Sequence, residues 1–279
     1  MWQIVDESIK SVNHPQNQDG RRYYISKDKM QVIVAVADGH GSKKCFRSDL
    51  GSKFAVVVLR QFLFKHLNRQ TFDNWQSHFY GGYPAMAKKI HQQWLEKVKK
   101  HLESCPFTPE EQLIDPMVLN NPTISYGTTL LGTLITPNYI VYLQLGDGDI
   151  LAVNDNAVKH PIEKDENLIA NDTYSLCDTE AYVHFKFHYQ SISGNSPDLI
   201  QLSTDGYSNS FPNDNEFQKT ALDYYNLFRE EGIDFIKKNI TEWLTETTVK
   251  GSGDDLTAII VIKTIENEST IKRGANIAD

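Results

Sequence analysis

Short apolar stretches separated by turn residues predict a chain that is rich in β-strands. Residues Met30 to Ala37 are β-branched or apolar at almost every position, which indicates a strand covered on both faces. The opening 24 residues are polar with one apolar patch and predict a strand followed by a loop. Similar stretches predict further strands at residues 126–136, 139–145, 149–153, 181–189, 198–204 and 256–262, of which 181–189 alternates and should be half-exposed.

Apolar residues at helical spacing predict four helices. Phe46, Leu50, Phe54 and Phe62 fall on one face of the first helix. The segment between the second helix and the next strand contains four prolines and is predicted to be a loop. The predicted helices cover Lys43 to Leu67, Pro84 to Ser104, Asn215 to Glu230 and Ile233 to Thr248, and the loop covers Cys105 to Ser125.

The order of these elements favours antiparallel sheets, because short turns join the central strands. A regular alternation of strand and helix is missing, which counts against a Rossmann or TIM-barrel fold. The polar tail after Lys263 is predicted to fray.

Composition and charge narrow the class of protein. The chain has 279 residues, a formal net charge of -8 and 23% charged residues, which argues against a general binder of nucleic acid or of anionic membranes. Its three cysteines lack zinc-site spacing and imply no disulfide framework. Neither a signal peptide nor a membrane span is predicted, so we expect a cytoplasmic protein.

Acidic residues lie at the ends of four predicted strands, each next to glycine or one residue from it. Asp-Gly is also a common turn dipeptide, so any one of them alone would indicate a turn. Their joint occurrence favours a shared carboxylate cluster, which would be repulsive unless cations neutralise it. Oxygen ligands without cysteine favour Mg²⁺ or Mn²⁺. These acids are Asp38, Asp147, Asp149, Asp205, Asp254 and Asp255.

Six motifs in order resemble the metal-dependent protein phosphatases of the protein phosphatase 2C, or PPM, type. They are NQD from Asn17, VADGHGS from Val36, YGTTLL from Tyr126, LGDGDIL from Leu145, STDGYSNSF from Ser203 and GSGDDLT from Gly251. The resemblance runs from about residue 11 to residue 263. It implies an α+β fold, an α/β/β/α sandwich of two stacked, mainly antiparallel sheets flanked by helices. We therefore expect one domain over residues 1–265 and a polar tail over 266–279.

The resemblance also implies a metal site. Asp38 should bridge two Mg²⁺ or Mn²⁺ ions, and the carbonyl of Gly39 should bind one of them. Asp205 and Asp254 should complete the first site, and with Asp38 they form the expected catalytic group. Asp147 should hold a weaker third ion together with Asp205.

Departures from the family pattern concern the residues around these acids. Asp19 matches a family acid expected to bind metal, but its usual acidic neighbour is Gln18 here. His14 stands where the family often has a phosphate-binding arginine, and it is the candidate for that role, with packing of its loop as an equal alternative. His40, Gln18 and Asp255 are expected to lie around the ligands and support them, with His40 equally compatible with packing of its loop.

The implied function is hydrolysis of phosphoserine and phosphothreonine by a water activated between two metal ions. The implied partners are a phosphorylated protein and a cognate Ser/Thr kinase, and we expect a monomer. One alternative is a pseudophosphatase that serves as a signalling or binding module, against which the retained Asp38, Asp205 and Asp254 argue. A nucleotide-binding enzyme is a weaker alternative, because the sequence has neither GxxxxGK[ST] nor GxGxxG.

Overall fold

Two five-stranded antiparallel sheets form the centre of the molecule in the computed structural model, which describes residues 1–67, 82–164, 173–192 and 196–264. The first sheet has the strand order β1 (Trp2–Ile9), β10 (Leu256–Lys263), β9 (Leu199–Ser203), β6 (Asp149–Asn154) and β7 (Ala157–Lys159). The second has the order β2 (Gly20–Ile25), β3 (Val32–Ala37), β4 (Leu130–Ile135), β5 (Tyr139–Leu145) and β8 (Lys186–Ser191).

Helices cover the outer faces of both sheets. The helix α1 (Ser48–Phe64) packs on the second sheet and against α2 (Tyr83–Ser104), whereas α6 (Asp214–Glu231) and α7 (Ile233–Lys250) pack on the first. The shorter helices are α3 (Pro109–Gln112), α4 (Pro116–Asn120) and α5 (Asp205–Ser208). This arrangement confirms the predicted α/β/β/α sandwich. In the part of the chain that the structure describes, no helix is both long enough and apolar enough to cross a membrane.

Three apolar layers hold the sandwich together. Val34 and Ile259 belong to the layer between the sheets, Trp94 to the layer beneath α1 and α2, and Phe217 to the layer beneath α6 and α7. Successive side chains of β3 point alternately to the opposite sheet and to the helices, and all six are buried. Burial of both faces explains why the sequence of this strand is apolar without alternation.

Several segments differ from the sequence-based expectations. The strand β7 was not predicted, and the strand expected over residues 126–136 begins only at Leu130, because Tyr126 ends a 3₁₀ turn. The opening residues contain two strands, and β2 was not predicted. The first predicted helix begins with a 3₁₀ turn before α1, and the half-exposed strand expected over residues 181–189 begins instead with a 3₁₀ turn, Ala181–His184. The predicted loop Cys105 to Ser125 contains α3 and α4, because Thr108 and Asp115 cap helices that each begin at a proline. The predicted tail lies outside the described residues, and the domain limits stay a prediction.

Candidate metal centre

The pairing of β2 with β3 brings two acids of the predicted site side by side. Gly20 is the partner of Ala37 in the antiparallel register. Asp19 immediately precedes Gly20, and Asp38 immediately follows Ala37, so the two acids stand opposite each other at one end of the pair. Asp19 is buried, with 7% of its surface exposed.

Two threonines of the YGTTLL motif fix the backbone of Asp38. Thr129 Oγ1 accepts a hydrogen bond from Asp38 N over 3.0 Å, and Thr128 Oγ1 donates one to Asp38 O over 2.7 Å. Thr129 N also donates to Asp38 O, and Gly39 forms an isolated β-bridge with Thr128. Both threonines therefore position the backbone of Asp38.

The first sheet contributes the facing half of the centre. Thr204, at the end of β9, donates a hydrogen bond from Oγ1 to Asp19 Oδ2 over 3.0 Å. The same hydroxyl accepts a hydrogen bond from Thr257 N over 3.0 Å, which ties it to β10. Asp205 follows Thr204 directly, and its carboxylate is within hydrogen-bonding reach of Asp38. Acids from both sheets therefore meet at this edge.

Glycines follow three of these acids because other parts of the chain pass very close to them. A Cβ on Gly39 would lie 2.6 Å from the carbonyl oxygen of Gln18, and one on Gly206 would lie 2.1 Å from that of Asp255. A Cβ on Gly148 would lie 2.8 Å from the carbonyl oxygen of Ser203. These contacts leave no room for a side chain, so the glycines allow the strand ends to converge.

The close approach of these acids, together with burial, raises the pKa values of three of them. Burial raises the pKa of Asp38 well above its usual range, and the charges of Asp19 and Asp205 raise it further. Burial also raises the pKa of Asp19 to about 8, with contributions from Asp255 and Asp205. The pKa of Asp147 rises to about 6 through burial and the charge of Asp205. Groups of mutually repelling carboxylates of this kind are typical of functional sites.

The donor set fits a hard divalent cation. Oδ1 of Asp19 is buried and has no hydrogen-bond partner among the described residues, although its Oδ2 is bonded. A buried carboxylate oxygen of this kind is costly unless a ligand or a proton satisfies it. Mg²⁺ and Mn²⁺ prefer carboxylate and carbonyl oxygens, which are the groups that the chain presents here.

Asp255 organises the loop that leads to Asp19. Its Oδ1 accepts a hydrogen bond from Ser11 N over 2.6 Å, and its Oδ2 accepts one from Gln18 N over 2.8 Å. His14 Nδ1 lies 3.3 Å from Asp255 Oδ2 and 3.6 Å from Asp254 Oδ1. The nitrogen and these carboxylates could also hold a cation, since one ligand atom of each lies within 4.8 Å of the others. A phosphate-binding role of His14 stays a prediction.

His40 and Asp149 occupy different surroundings from the carboxylate cluster. Burial lowers the pKa of His40, so its imidazole is neutral near pH 7. Asp149 forms an ion pair with Lys164, whose Nζ lies 2.7 Å from Oδ1 of Asp149 and 2.7 Å from Oδ1 of Asp214. His160 completes this group. Asp149, which the sequence grouped with the other strand-end acids, therefore has a partner of its own.

Solved structures with the same fold are bacterial serine/threonine phosphatases. Stp1 from Staphylococcus aureus matches with a TM-score of 0.63 and 16% identity, over 96% of this chain and 96% of Stp1. PstP/Ppp from Mycobacterium tuberculosis matches with a TM-score of 0.57 and 14% identity, over 95% and 99%. The catalytic domain of PstP in complex with two manganese ions matches with a TM-score of 0.56 and 13% identity, over 94% and 97%. None of the curated proteins compared with the chain matches it.

The family match, together with the fold, identifies a phosphoprotein phosphatase. A family model described as Protein phosphatase 2C matches residues 10–245. The chain belongs to the protein phosphatase 2C family, which confirms the resemblance seen in the sequence.

Proposed function

We propose that this protein is a metal-dependent serine/threonine protein phosphatase. The observation that carries the proposal is the convergence of Asp19, Asp38, Asp147 and Asp205, from well-separated strand ends, into one cluster. Burial and the neighbouring charges raise the pKa values of Asp19, Asp38 and Asp147 there. Such a cluster is poorly suited to structural stability on its own, because its members repel one another. Divalent cations would relieve that repulsion and make the cluster capable of catalysis.

The proposed ligands are the acids of this cluster together with the carbonyl of Gly39 and the exposed Asp254, which lies just before β10. When bound, two ions supply an activated water and neutralise charge on the phosphoryl oxygens. Asp38, whose backbone is held by Thr128 and Thr129, would bind both ions. The full proposed set is Asp19, Asp38, Gly39, Asp147, Asp205 and Asp254, with Asp38, Asp205 and Asp254 as the catalytic group and Asp147 serving a weaker third ion.

A protein side chain could also donate a proton to the leaving oxygen of the substrate. Because burial keeps His40 neutral, this histidine is a poor source of a proton near pH 7. His14 lies beside Asp254 and Asp255, on the side of the cluster formed by the loop over residues 11–18. It is therefore the better candidate for contact with the phosphoryl group or the leaving oxygen.

The substrate would be a phosphoserine or phosphothreonine residue of another protein, and a Ser/Thr kinase would supply it. The manganese ions of the PstP complex support Mn²⁺ as one suitable ion, with Mg²⁺ as the other. We place the reaction in the cytoplasm and expect a monomer, with neither nucleic acid nor membrane as a partner.

The test measures hydrolysis of p-nitrophenyl phosphate and of a phosphothreonine peptide, each with Mn²⁺, with Mg²⁺ and with EDTA. We expect turnover of both substrates with metal and none with EDTA. Asp234→Asn serves as the control, since Asp234 is an exposed acid in the first turn of α7. Full activity in EDTA would reject the metal mechanism. No turnover with any metal would favour the pseudophosphatase, which the retained acids now disfavour.

A further inference from the structure

A pocket of about 580 Å³ opens beside the candidate metal centre. Two of its lining residues connect it with the acid cluster. His40 directly follows Gly39, and the side chain of Thr173 lies against the Asp147 carboxylate. The pocket therefore lies next to the acid cluster, and its lining residues include none of the proposed ligands.

The walls of this pocket are chemically mixed. Met117 and Ile124 supply an apolar wall, and Met117 has 57% of its surface exposed. The thiols of Cys45 and Cys177 lie at the inner end, where a Cβ on Gly127 would meet them at 3.0 Å and 3.2 Å. Exposed apolar surface next to a polar reaction centre is typical of a binding surface.

Arg47 holds the chain on both sides of the apolar wall. It donates to both carboxylate oxygens of Glu111, over 2.8 Å and 2.6 Å. Its guanidinium also donates to the carbonyl oxygen of Cys105 over 2.8 Å and to the hydroxyl of Tyr126 over 2.9 Å. A bidentate pair of this kind has a defined geometry. Glu111 precedes Met117 and Tyr126 follows Ile124, so these bonds fix the two ends of the segment that carries the wall.

We propose that this pocket binds an apolar side chain that flanks the phosphorylated residue of the substrate protein. The proposal rests on the proposed phosphatase function and deepens it. A polypeptide whose phosphoryl group reaches the acid cluster must lay its neighbouring residues on the adjacent surface, and this pocket lies there. Residues within about four positions of the phosphorylated one reach roughly 13 Å along an extended chain. Met117 and Ile124 then determine specificity without touching the reacting atoms.

The first experiment uses phosphothreonine peptides with a Gly/Ser background and a single leucine moved through the flanking positions. We expect one position at which leucine raises kcat/KM about tenfold, since burial of one apolar side chain contributes enough binding free energy for that change. Equal values for all peptides would overturn the proposal, whereas turnover of p-nitrophenyl phosphate would still support the phosphatase function.

The second experiment repeats the comparison with Met117→Ser and Ile124→Ser. We expect each substitution to remove most of the preference for leucine, measured as the ratio of kcat/KM for the leucine peptide to that for the Gly/Ser peptide. The matched control is Val249→Ser, because Val249 is 63% exposed on α7 at the opposite face of the sandwich. An unchanged ratio in both pocket variants would overturn the proposal.

A third measurement detects binding without catalysis. Cys177 lines the pocket and is half-buried, whereas Cys105 is exposed and outside it. We expect the dephosphorylated leucine peptide to slow alkylation of Cys177 by iodoacetamide and to leave the alkylation of Cys105 unchanged, as read by mass spectrometry. Protection that depends on protein concentration and not on peptide would assign the pocket to a second copy of the chain and overturn the proposal.

Discussion

Thr204 donates a hydrogen bond to Asp19 Oδ2 over 3.0 Å and joins two residues that are 185 positions apart in the chain. Thr204 directly follows β9 of the first sheet, and Asp19 directly precedes β2 of the second. The contact therefore connects the two sheets at the edge where the acids meet. It also leaves Asp19 Oδ1 buried and without a partner among the described residues, so half of this carboxylate is held and the other half is available to a cation.

We expect the metal-free protein to become less stable as the pH rises from about 4 to about 8. The folded state keeps protons on Asp19 and Asp38 that the unfolded chain releases near pH 4, because their pKa values are raised in the folded protein. The stabilisation from Asp19 and Asp38 is fully present below the pKa of these groups in the unfolded chain. It is lost as the pH rises toward their higher pKa values in the folded protein. Urea unfolding in EDTA should show a loss of more than about 2 kcal/mol across this range.

Addition of Mn²⁺ should reverse this loss at pH 8, because a bound cation replaces the protons as the partner of the carboxylates. Asp19→Asn should flatten the dependence on pH in EDTA, while the exposed Asp234→Asn should leave it unchanged. An EDTA-treated protein that is equally stable at pH 5 and pH 8 would contradict the interpretation of the cluster.

Asp38→Ala and Asp205→Ala should each lower kcat by at least about a hundredfold. Loss of a group that only supports a metal ligand costs up to about that much, and loss of a ligand itself should cost more. Neither change should prevent folding. The metal-free Asp38→Ala protein should be as stable as the wild type or more stable, because one member of a repulsive cluster is gone. The checks are kcat with saturating Mn²⁺ and urea unfolding in EDTA. Near-normal turnover in either variant would show that the catalytic group is assigned wrongly.

Asp147→Ala should lower kcat and leave the two tightly bound ions in place. The reason is that Asp147 is proposed to serve only the weaker third ion. Isothermal titration with Mn²⁺ gives the number and affinity of the bound ions, and p-nitrophenyl phosphate gives kcat. Loss of a tightly bound ion would show that Asp147, like Asp38, is a ligand of the tightly bound ions.

His14→Ala should raise KM for p-nitrophenyl phosphate if the imidazole contacts the phosphoryl group. His14→Arg should make KM less dependent on pH, because a guanidinium stays charged at every working pH and an imidazole does not. The measurement is KM from pH 5.5 to 8.5 for the three proteins. Superimposable curves would leave His14 with its carboxylate contacts alone, as a group that holds the loop near Asp254 and Asp255.

Arg47→Ala should destabilise the protein by about 3 kcal/mol, because it leaves the Glu111 carboxylate and two backbone carbonyls without their donor. Arg47→Lys should recover only part of this loss, since an ammonium cannot form the paired hydrogen bonds with Glu111. Urea unfolding in Mn²⁺ measures both. A loss below about 1 kcal/mol in Arg47→Ala, as for an ordinary surface pair, would contradict the anchoring role.

The sequence predicted those parts of the fold whose signal is local. The strand β3 and the helix α2 lie close to their expected limits, because continuous burial and helical spacing leave a clear pattern in their residues. The strand β2 was missed, since its partly exposed residues carry no such pattern. Which strands pair could not be derived from local residues, because the partners β1 and β10 are separated by almost the whole chain.

The site shows the same division. The positions of Asp38 and Asp205 were predicted from motifs, and the structure brings both carboxylates together. The hydrogen bonds from Ser11 and Gln18 to Asp255 could not be predicted, because they depend on the path of the loop over residues 11–18. The pairing of Asp149 with Lys164 was likewise hidden, since it requires a contact between β6 and a segment outside the motifs.

The position of β10 between β1 and β9 determines when the first sheet can form during synthesis of the chain. β1 pairs with β10, so β1 must wait for a strand that is made almost the whole described chain later. Contacts of such long sequence separation form late and slow the search for the native state. Asp254 arrives with that strand, and a nascent chain that lacks it exposes the unpaired edges of β1 and β9 to other chains. The arrival of Asp254 beside the acid cluster and the protection of these strand edges from aggregation are therefore the same folding event.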